Sequence, residues 1–566
     1  MILGRLVEFA SRCKGIPPSM YQKKEFKWQI ELDSNGRFLA ITPLSDSENP
    51  KRGLLLYAPM RKRTSGIEPL LLADNAGYVL GLGDSSSPSE SEKFKVFLDL
   101  VRRCYQKTGE PSVGSVLNFL ETYCYSPHTI LNSVKSAGIE PGDNVIFCVD
   151  RFIRPTDLES VKAFWAEECN EEDCPEMQCL VCGKNGRVDK VSPIPIKGIP
   201  DGQPSGVALV SANKDSFESY GAKQSLIAPT CRSCGEAYAN ALNHMLKLDS
   251  HRIKVGKIVF VFWTTKETGF NPSSILSNPT PKAVNELIAS VWTAKEVKVD
   301  PERFYALALS ASNSRAVVRD WLDTTVPTVK SNLARWFSLQ KIVDTNGNEG
   351  NPLPLYDLAS SLYRNAKNEM SKNVPKELVR CTLYGARLPE WLLVQAVNRN
   401  RAEQTVTRNR AALIKSILLS NTNGYKEGYM ESLELECKSP GYLCGRLFAE
   451  LEKAQKWAVN PKSTLVGGYY GAASSAPATV FGYLMRNFQS AHMQKLRKEK
   501  PAAYNAIDIR VQEILSELGD WPKTLTLKEQ AMFALGYYHQ KAWKKASANA
   551  NRELKELNSE ETEDEE

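Results

Sequence analysis

Two cysteine pairs constrain this chain more than any other feature: Cys179-Leu180-Val181-Cys182-Gly183 and Cys231-Arg232-Ser233-Cys234-Gly235. In each Cys-x-x-Cys knuckle two thiolates turn toward one point, and the glycine that follows admits the tight backbone this turn needs. The segment between the pairs, 183–230, is longer than in a compact ribbon, but tripling a flexible loop costs only about 1 kcal/mol of closure entropy. A structural zinc ion offers about 10–16 kcal/mol in return. Cys179, Cys182, Cys231 and Cys234 are therefore the expected ligands of one structural Zn²⁺, with Cys169 or Cys174 as the possible substitutes. Four protein ligands leave no open position, so such a metal holds structure and performs no hydrolysis. The other cysteines, such as Cys104, Cys148 and Cys444, are scattered singly through apolar stretches and read as small buried hydrophobes.

At 566 residues the chain exceeds a single domain several-fold. No apolar run approaches the eighteen or more residues of a membrane span. The opening Met1–Phe9 lacks a basic stretch followed by a long apolar core, so a first helix of the fold and a cytoplasmic protein are expected.

Residues 1–170 read as an N-terminal α+β domain. Phe26–Leu32 and Arg37–Leu44 alternate around Asn35-Gly36, a hairpin signal. Short strands are expected near Leu54–Tyr57 and Tyr78–Leu82, a helix through Phe94–Val101, and a buried strand at Asn144–Val149. Residues 171–235, rich in Pro, Gly and Lys, read as a zinc-binding insertion. Residues 236–420 continue the α+β body and become increasingly helical. Past the polar Asn421–Gly428, residues 430–559 are expected to form a C-terminal four-helix bundle, with apolar stripes at Leu443/Leu447/Leu451, Phe481/Leu484/Phe488, Val511/Ile514/Leu518 and Met532/Leu535/His539. His539 on such a stripe reads as a hydrogen-bonded core histidine. Residues 560–566 form an acidic tail expected to be disordered. The class is α+β, multidomain.

The net charge of +7 understates how basic the body is, because six acidic residues crowd into 560–566. Two basic stretches are candidates for phosphate contact: Arg61-Lys62-Arg63 in a polar loop, and Arg399, Arg401, Arg408, Arg410 and Lys415 in a helical region with only Glu403 opposing them. Solvated surface charge is the plain alternative for each. The phosphate-binding loop, the His-Glu-x-x-His zinc motif, the nucleophile elbow and the dinucleotide fingerprint are all missing from the sequence, and the five histidines lie far apart. No enzyme is expected. A nuclease built from dispersed carboxylates and metal would leave no such motif, and it stands as the alternative together with a zinc-ribbon protein scaffold.

Several blocks share an order with a known family: Asp74-Asn75-Ala76-Gly77-Tyr78-Val79-Leu80-Gly81, Gln203-Pro204-Ser205-Gly206-Val207-Ala208, Phe217-Glu218-Ser219-Tyr220-Gly221-Ala222-Lys223-Gln224, Gly445-Arg446-Leu447-Phe448-Ala449, Tyr470-Gly471-Ala472-Ala473-Ser474 and Phe533-Ala534-Leu535-Gly536-Tyr537-Tyr538-His539-Gln540. Together they resemble the large-subunit family of the subtype I-C CRISPR Cascade complex. The resemblance implies a non-catalytic antiviral-defence subunit beside the 5′ end of the CRISPR RNA, contacting the backbone and 5′-handle subunits. It also implies recognition of the protospacer-adjacent motif on target double-stranded DNA, steadying of the displaced strand, and recruitment of a separate helicase-nuclease. In RNA-guided systems of this kind base pairing reads the sequence and protein reads a short flanking motif. Arg61, Lys62 and Arg63 are then expected on phosphates, and Asn75, Lys223 and Gln224 near base edges. A small subunit from internal translation of the same gene, starting near Met430, is the last expectation.

Overall fold

The computed structural model describes residues 2–13, 15–45, 53–61, 67–83, 88–169, 174–212, 214–266, 268–294, 302–421 and 428–543. The protein is mixed α+β, and 53% of the described residues are helical. It divides into two units, one built from 1–198, 203–244 and 313–315 and the other from 199–202, 245–312 and 316–566.

The first unit holds a four-stranded sheet of order β3-β2-β6-β5, from β2 (Trp28–Leu32), β3 (Phe38–Pro43), β5 (Ala73–Asn75) and β6 (Asn144–Val149). β2 and β6 run parallel, with Ile30 opposite Phe147, while β3 and β5 are antiparallel on the two edges. The centre of the sheet is buried because Ile30, Leu32, Val145, Phe147 and Val149 face helices Pro88–Thr108 and Pro111–Tyr125, which contribute Phe97, Val101, Val116 and Phe119. The β2–β3 turn falls at the expected Asn35-Gly36 but is one residue longer than a two-residue primed turn. Asp33 Oδ1 accepts from the Asn35 and Arg37 amides at 3.0 and 2.8 Å, and Gly36 takes the left-handed step at φ +82°. No side chain fits there, since a Cβ on Gly36 would meet the Ser115 carbonyl at 2.4 Å.

Two expected strands differ. Leu54–Tyr57 is a strand (β4, Leu54–Pro59), but it pairs with β1 (Tyr21–Phe26) in a separate two-stranded sheet rather than extending the main one. Tyr78–Leu82 is no strand: β5 ends at Asn75, whose side chain caps the short helix Ala76–Val79. Every residue of that helix is buried, so its burial carries no period that a sequence reading can detect.

The second unit contains a four-stranded sheet of order β12-β11-β10-β9 (Arg315–Thr325, Arg303–Ser312, Ile258–Thr264, Arg252–Val255) followed by helices. One continuous core runs from Phe260, Phe262 and Phe304 on the sheet, through Leu333, Trp336 and Leu378, to Phe448, Tyr470 and Phe533 near the end of the chain. Helices stand where the four stripes after Met430 predict them, as Pro440–Val459, the rod Phe481–Glu499, Pro501–Leu518 and a last helix over 527–543, but a separate four-helix bundle is not shown, because they share one core with the helices before them. A fifth helix, Leu465–Ala473, lies between the first and second, and the rod widens into a π-helical turn at Phe488–Met493.

The Pro440–Val459 and 527–543 helices approach until their backbones touch. A Cβ on Gly445 would lie 2.1 Å from the Phe533 carbonyl, and one on Gly536 2.1 Å from that of Tyr442, so neither position tolerates even alanine. A buried polar ladder lies along this seam. Arg446 donates to Gln540 (3.0 Å), which donates to Glu450 (2.7 Å), while Arg510 lies 3.2 Å from Glu450. Two residues on, Glu452 accepts from Tyr537 at 2.7 Å and pairs with Lys456 and Lys541. His539 is fully buried with Nδ1 3.0 Å from the Tyr442 hydroxyl, and burial pushes its pKa down to about 3. It is the core histidine the sequence suggested.

Candidate metal centre and nucleic-acid-facing loops

The first cysteine knuckle caps a small hairpin, β7 (Glu176–Gln178) against β8 (Asn185–Arg187). Its backbone closes through Cys179 N donating to Lys184 O and Gly183 N to Cys179 O, both 2.9 Å, with Gly183 at φ +73° as the expected left-handed glycine. The second knuckle opens the helix Arg232–Lys247. Gly235 is therefore an ordinary helical residue, and its reason differs: a Cβ there would crowd Pro193 at 3.0 Å. The Leu180 amide donates to Pro229 O at 2.9 Å, and Val188 bridges Cys231, which bring the two knuckles together.

All four Sγ atoms lie within 4.8 Å of one another, and Cys182 and Cys231 are 3.9 Å apart. A tetrahedron with Zn–S bonds of 2.3 Å has sulfur–sulfur edges of about 3.8 Å. The cluster therefore has the size and donor chemistry of a four-thiolate metal site. The amides of Val181 and Cys231 point at Cys179 Sγ, each at 3.4 Å, as donors that favour a thiolate. The thiols share protons unevenly, since a hydrogen bond from Cys234 holds the Cys231 pKa down to about 4 while Cys234 is driven up. Among the described residues no other group of three or more His, Cys, Asp or Glu side chains gathers in this way. Cys169 and Cys174 stay outside it: Cys169 is buried, and Cys174 Sγ sits 3.9 Å from Asp189.

The helix that starts at the second knuckle also fastens its surroundings. Arg232 pairs with Asp189 at 3.1 Å and donates to the Cys169 carbonyl at 2.8 Å. One turn on, the buried Glu236 accepts from Ser19 Oγ and the Met20 amide, both at 2.7 Å. Met20 is itself left-handed at φ 59°, its carbonyl taken by Met60 N and Trp165 Nε1. The cluster thus anchors a helix that pins the start of β1.

The expected DNA-contacting residues lie apart. Arg61 is exposed and lies 3.7 Å from Glu68; Lys62 and Arg63 fall outside the described residues, as does the acidic tail 560–566. Asn75 spends its side-chain oxygen capping Ala76–Val79, accepting from the Tyr78 amide at 3.2 Å. Lys223 and Gln224 are exposed on a loop whose backbone is left-handed at Tyr220, Gly221 and Gln224. Tyr220 is wholly exposed there, and a groove of about 770 Å³ lined by Met177, Lys190, Asp215, Tyr220, Lys223 and Gln224 runs beside it.

The helical arginines correct the sequence reading. Arg410 is only 2% exposed and, with Arg399, grips Glu403; it also reaches the carbonyls of Ser361 and Thr405. Arg408 donates to the carbonyls of Ile342 and Asn351, and Lys415, fully buried, donates to that of Lys341 at 2.6 Å. Burial pulls the Lys415 pKa down to about 8. These cations brace helix ends, and of the group Arg401 alone is exposed. In the other direction, the sequence reading passed over the turn after β6, where Asp150 and Arg151 are both left-handed and lift Phe152 to 89% exposure.

Compared with known families, this two-unit chain is a CRISPR-associated protein. The model of the family described as CRISPR-associated protein (Cas_Csd1) matches residues 6–544. The chain belongs to that family, the large subunit of subtype I-C Cascade. No curated protein matches the chain. Family membership implies CRISPR RNA and other Cascade subunits as partners. Among the described residues no helix is long and apolar enough to cross a membrane.

Proposed function

We propose that this chain is a non-catalytic subunit that recognises the protospacer-adjacent motif, steadies the opened target DNA and recruits a helicase-nuclease, with one zinc ion held by Cys179, Cys182, Cys231 and Cys234 for structure. The observation that carries the reading is the family match along almost the entire chain. The exposed loop bearing Tyr220, Lys223 and Gln224 supports it, because strained left-handed residues that expose hydrogen-bonding side chains cluster at recognition sites. Arg61 and Arg401, both exposed, are the candidates for phosphate contact, and Asn75, whose side-chain oxygen is taken by the helix cap, has an NH2 group to offer a base edge.

The test uses the complex assembled with CRISPR RNA and a library of flanking motifs. Gln224→Ala and Asn75→Ser are expected to relax motif preference, the serine keeping the helix cap. Lys223→Ala and Arg61→Ala are expected to weaken binding evenly across motifs and to flatten its salt dependence. If all four leave preference and affinity unchanged, the assignment fails, and cleavage of DNA by the pure chain with Mg²⁺ or Mn²⁺ would overturn the non-catalytic reading. A separately translated small subunit starting near Met430 belongs to the same proposal. Such a product would bare groups that are covered here, including Tyr538, whose hydroxyl donates to the Val343 carbonyl at 2.9 Å.

A further inference from the structure

The helices Leu465–Ala473 and Phe481–Asn487 carry a surface that the packing of the protein does not explain. Tyr469 and Tyr483 lie side by side with ring centroids 5.9 Å apart, and the Arg486 guanidinium sits 5.6 Å from the Tyr483 ring. Tyr483 is 46% exposed. Around these rings the helices are bare. Gly468, Gly471 and Gly482 have nothing within 4 Å of where a Cβ would stand, in contrast to Gly445 and Gly536 in the seam.

A glycine inside a helix costs about 1 kcal/mol relative to alanine. At Gly445 close packing requires the residue. At Gly468, Gly471 and Gly482 nothing among the described residues does. Tyr469 is partly buried against the core and holds the exposed Tyr483 ring beside it, and open backbone next to an exposed aromatic ring is what a flat ligand needs in order to lie close.

The ground beyond the rings is basic. Past the π-helical turn, Lys495, Arg497, Lys498 and Lys500 are all exposed with only Glu499 among them. Among the described residues no carboxylate pairs with Arg486, Arg497 or Lys498, whereas Arg399 and Arg410 farther up the chain are both spent on Glu403. Widened π turns recur at functional sites, and this one joins the aromatic end of the rod to its cationic end.

We infer that Tyr469, Tyr483 and Arg486 form a stacking platform for the unpaired bases of a single-stranded polynucleotide, whose phosphates run on to Arg497 and Lys498. Stacking on tyrosine and arginine is indifferent to base identity, and the flanking cations neutralise the backbone. The site rests on the reading that the chain handles opened nucleic acid, and gives that reading a place for the strand that is no longer paired.

The experiment titrates a fluorescein-labelled oligo(dT) into the full chain at two salt concentrations, next to a duplex and an abasic strand of equal length. The wild-type chain is expected to prefer oligo(dT) over both. Tyr469→Ala with Tyr483→Ala should weaken oligo(dT) binding about ten-fold or more, in line with the effect of removing a stacking ring, while Tyr469→Phe with Tyr483→Phe keeps it. Gly468→Leu and Gly482→Leu should leave the melting temperature unchanged or raised, because the space is open and leucine favours helix, yet weaken binding by blocking the surface. Equal affinity for oligo(dT) and the abasic strand, or full affinity in the leucine variants, overturns the platform even if the wild-type chain binds DNA. Failure of the wild-type chain to bind any of the three nucleic acids overturns the platform and the wider reading together.

Discussion

The cysteine cluster of the first unit and the glycine seam of the second solve the same problem with opposite means. Each joins two stretches of chain far apart in sequence. The cluster does so near the surface, with Cys182 exposed and hairpin strands of three residues on one side, where apolar cover is thin. The seam does so inside a continuous core, where Gly445 and Gly536 let backbones meet and the Arg446–Gln540–Glu450 ladder fixes the register. Where a core is large, shape and buried hydrogen bonds are enough. Where it is small, four converging thiols with the spacing of a metal site stand in their place.

The comparison breaks most sharply at the cysteines. Cys179→Ser with Cys231→Ser should remove bound zinc, read by metal analysis as a fall from one ion per chain to none. It should also open 174–235 to protease, since most of the roughly 10–16 kcal/mol of a structural zinc site is forfeited, while the second unit keeps its melting transition. A wild-type chain without zinc, or a double variant with the same metal content, would dissolve the contrast. The seam should respond less. Glu450→Ala leaves Arg510 and Gln540 facing an empty position, and removing one partner of a buried pair costs about 3–5 kcal/mol. Urea unfolding is expected to show that loss with metal content unchanged.

The smallest effect is a dependence on pH. The pKa of His539 is pushed down to about 3 by burial first and by Lys415 second, against an ordinary value of 6.5. Below pH 6.5 the unfolded chain takes up a proton that the folded chain refuses, so stability falls as the pH falls, until the folded pKa is passed. From pH 7 to pH 5 this amounts to roughly 2 kcal/mol. His539→Gln should abolish that share of the loss, measured as the difference in urea midpoints at the two pH values.

What the sequence revealed follows the same division. The cysteine cluster was legible because ligand spacing is itself chemistry. The β2–β3 hairpin was legible from alternation around its Asn35-Gly36 turn, β6 as a short apolar run of strand length, and many of the helices after Val326 from their periodicity. Ala76–Val79 was not, being buried on every side. Arg408, Arg410 and Lys415 misled for a related reason: their partners are carbonyls of distant residues such as Ile342, Ser361 and Lys341, and a carbonyl has no letter in a sequence. The bare glycines of Leu465–Ala473 could be read in the sequence, but only the open space above them distinguishes them from Gly445.

The parallel pairing of β2 with β6 also sets a timetable. Trp28 lies opposite Val145, so the middle of the first sheet cannot close until more than a hundred further residues have left the ribosome. Until then the β2–β3 hairpin waits with one edge of β2 unpaired, an open template for any other strand. Long-range pairing of this kind is slow to form. Synthesis of this chain therefore has a vulnerable interval that ends when Val149 arrives, and substitutions that slow the docking of β6 are expected to lower yield through aggregation before they alter the finished protein.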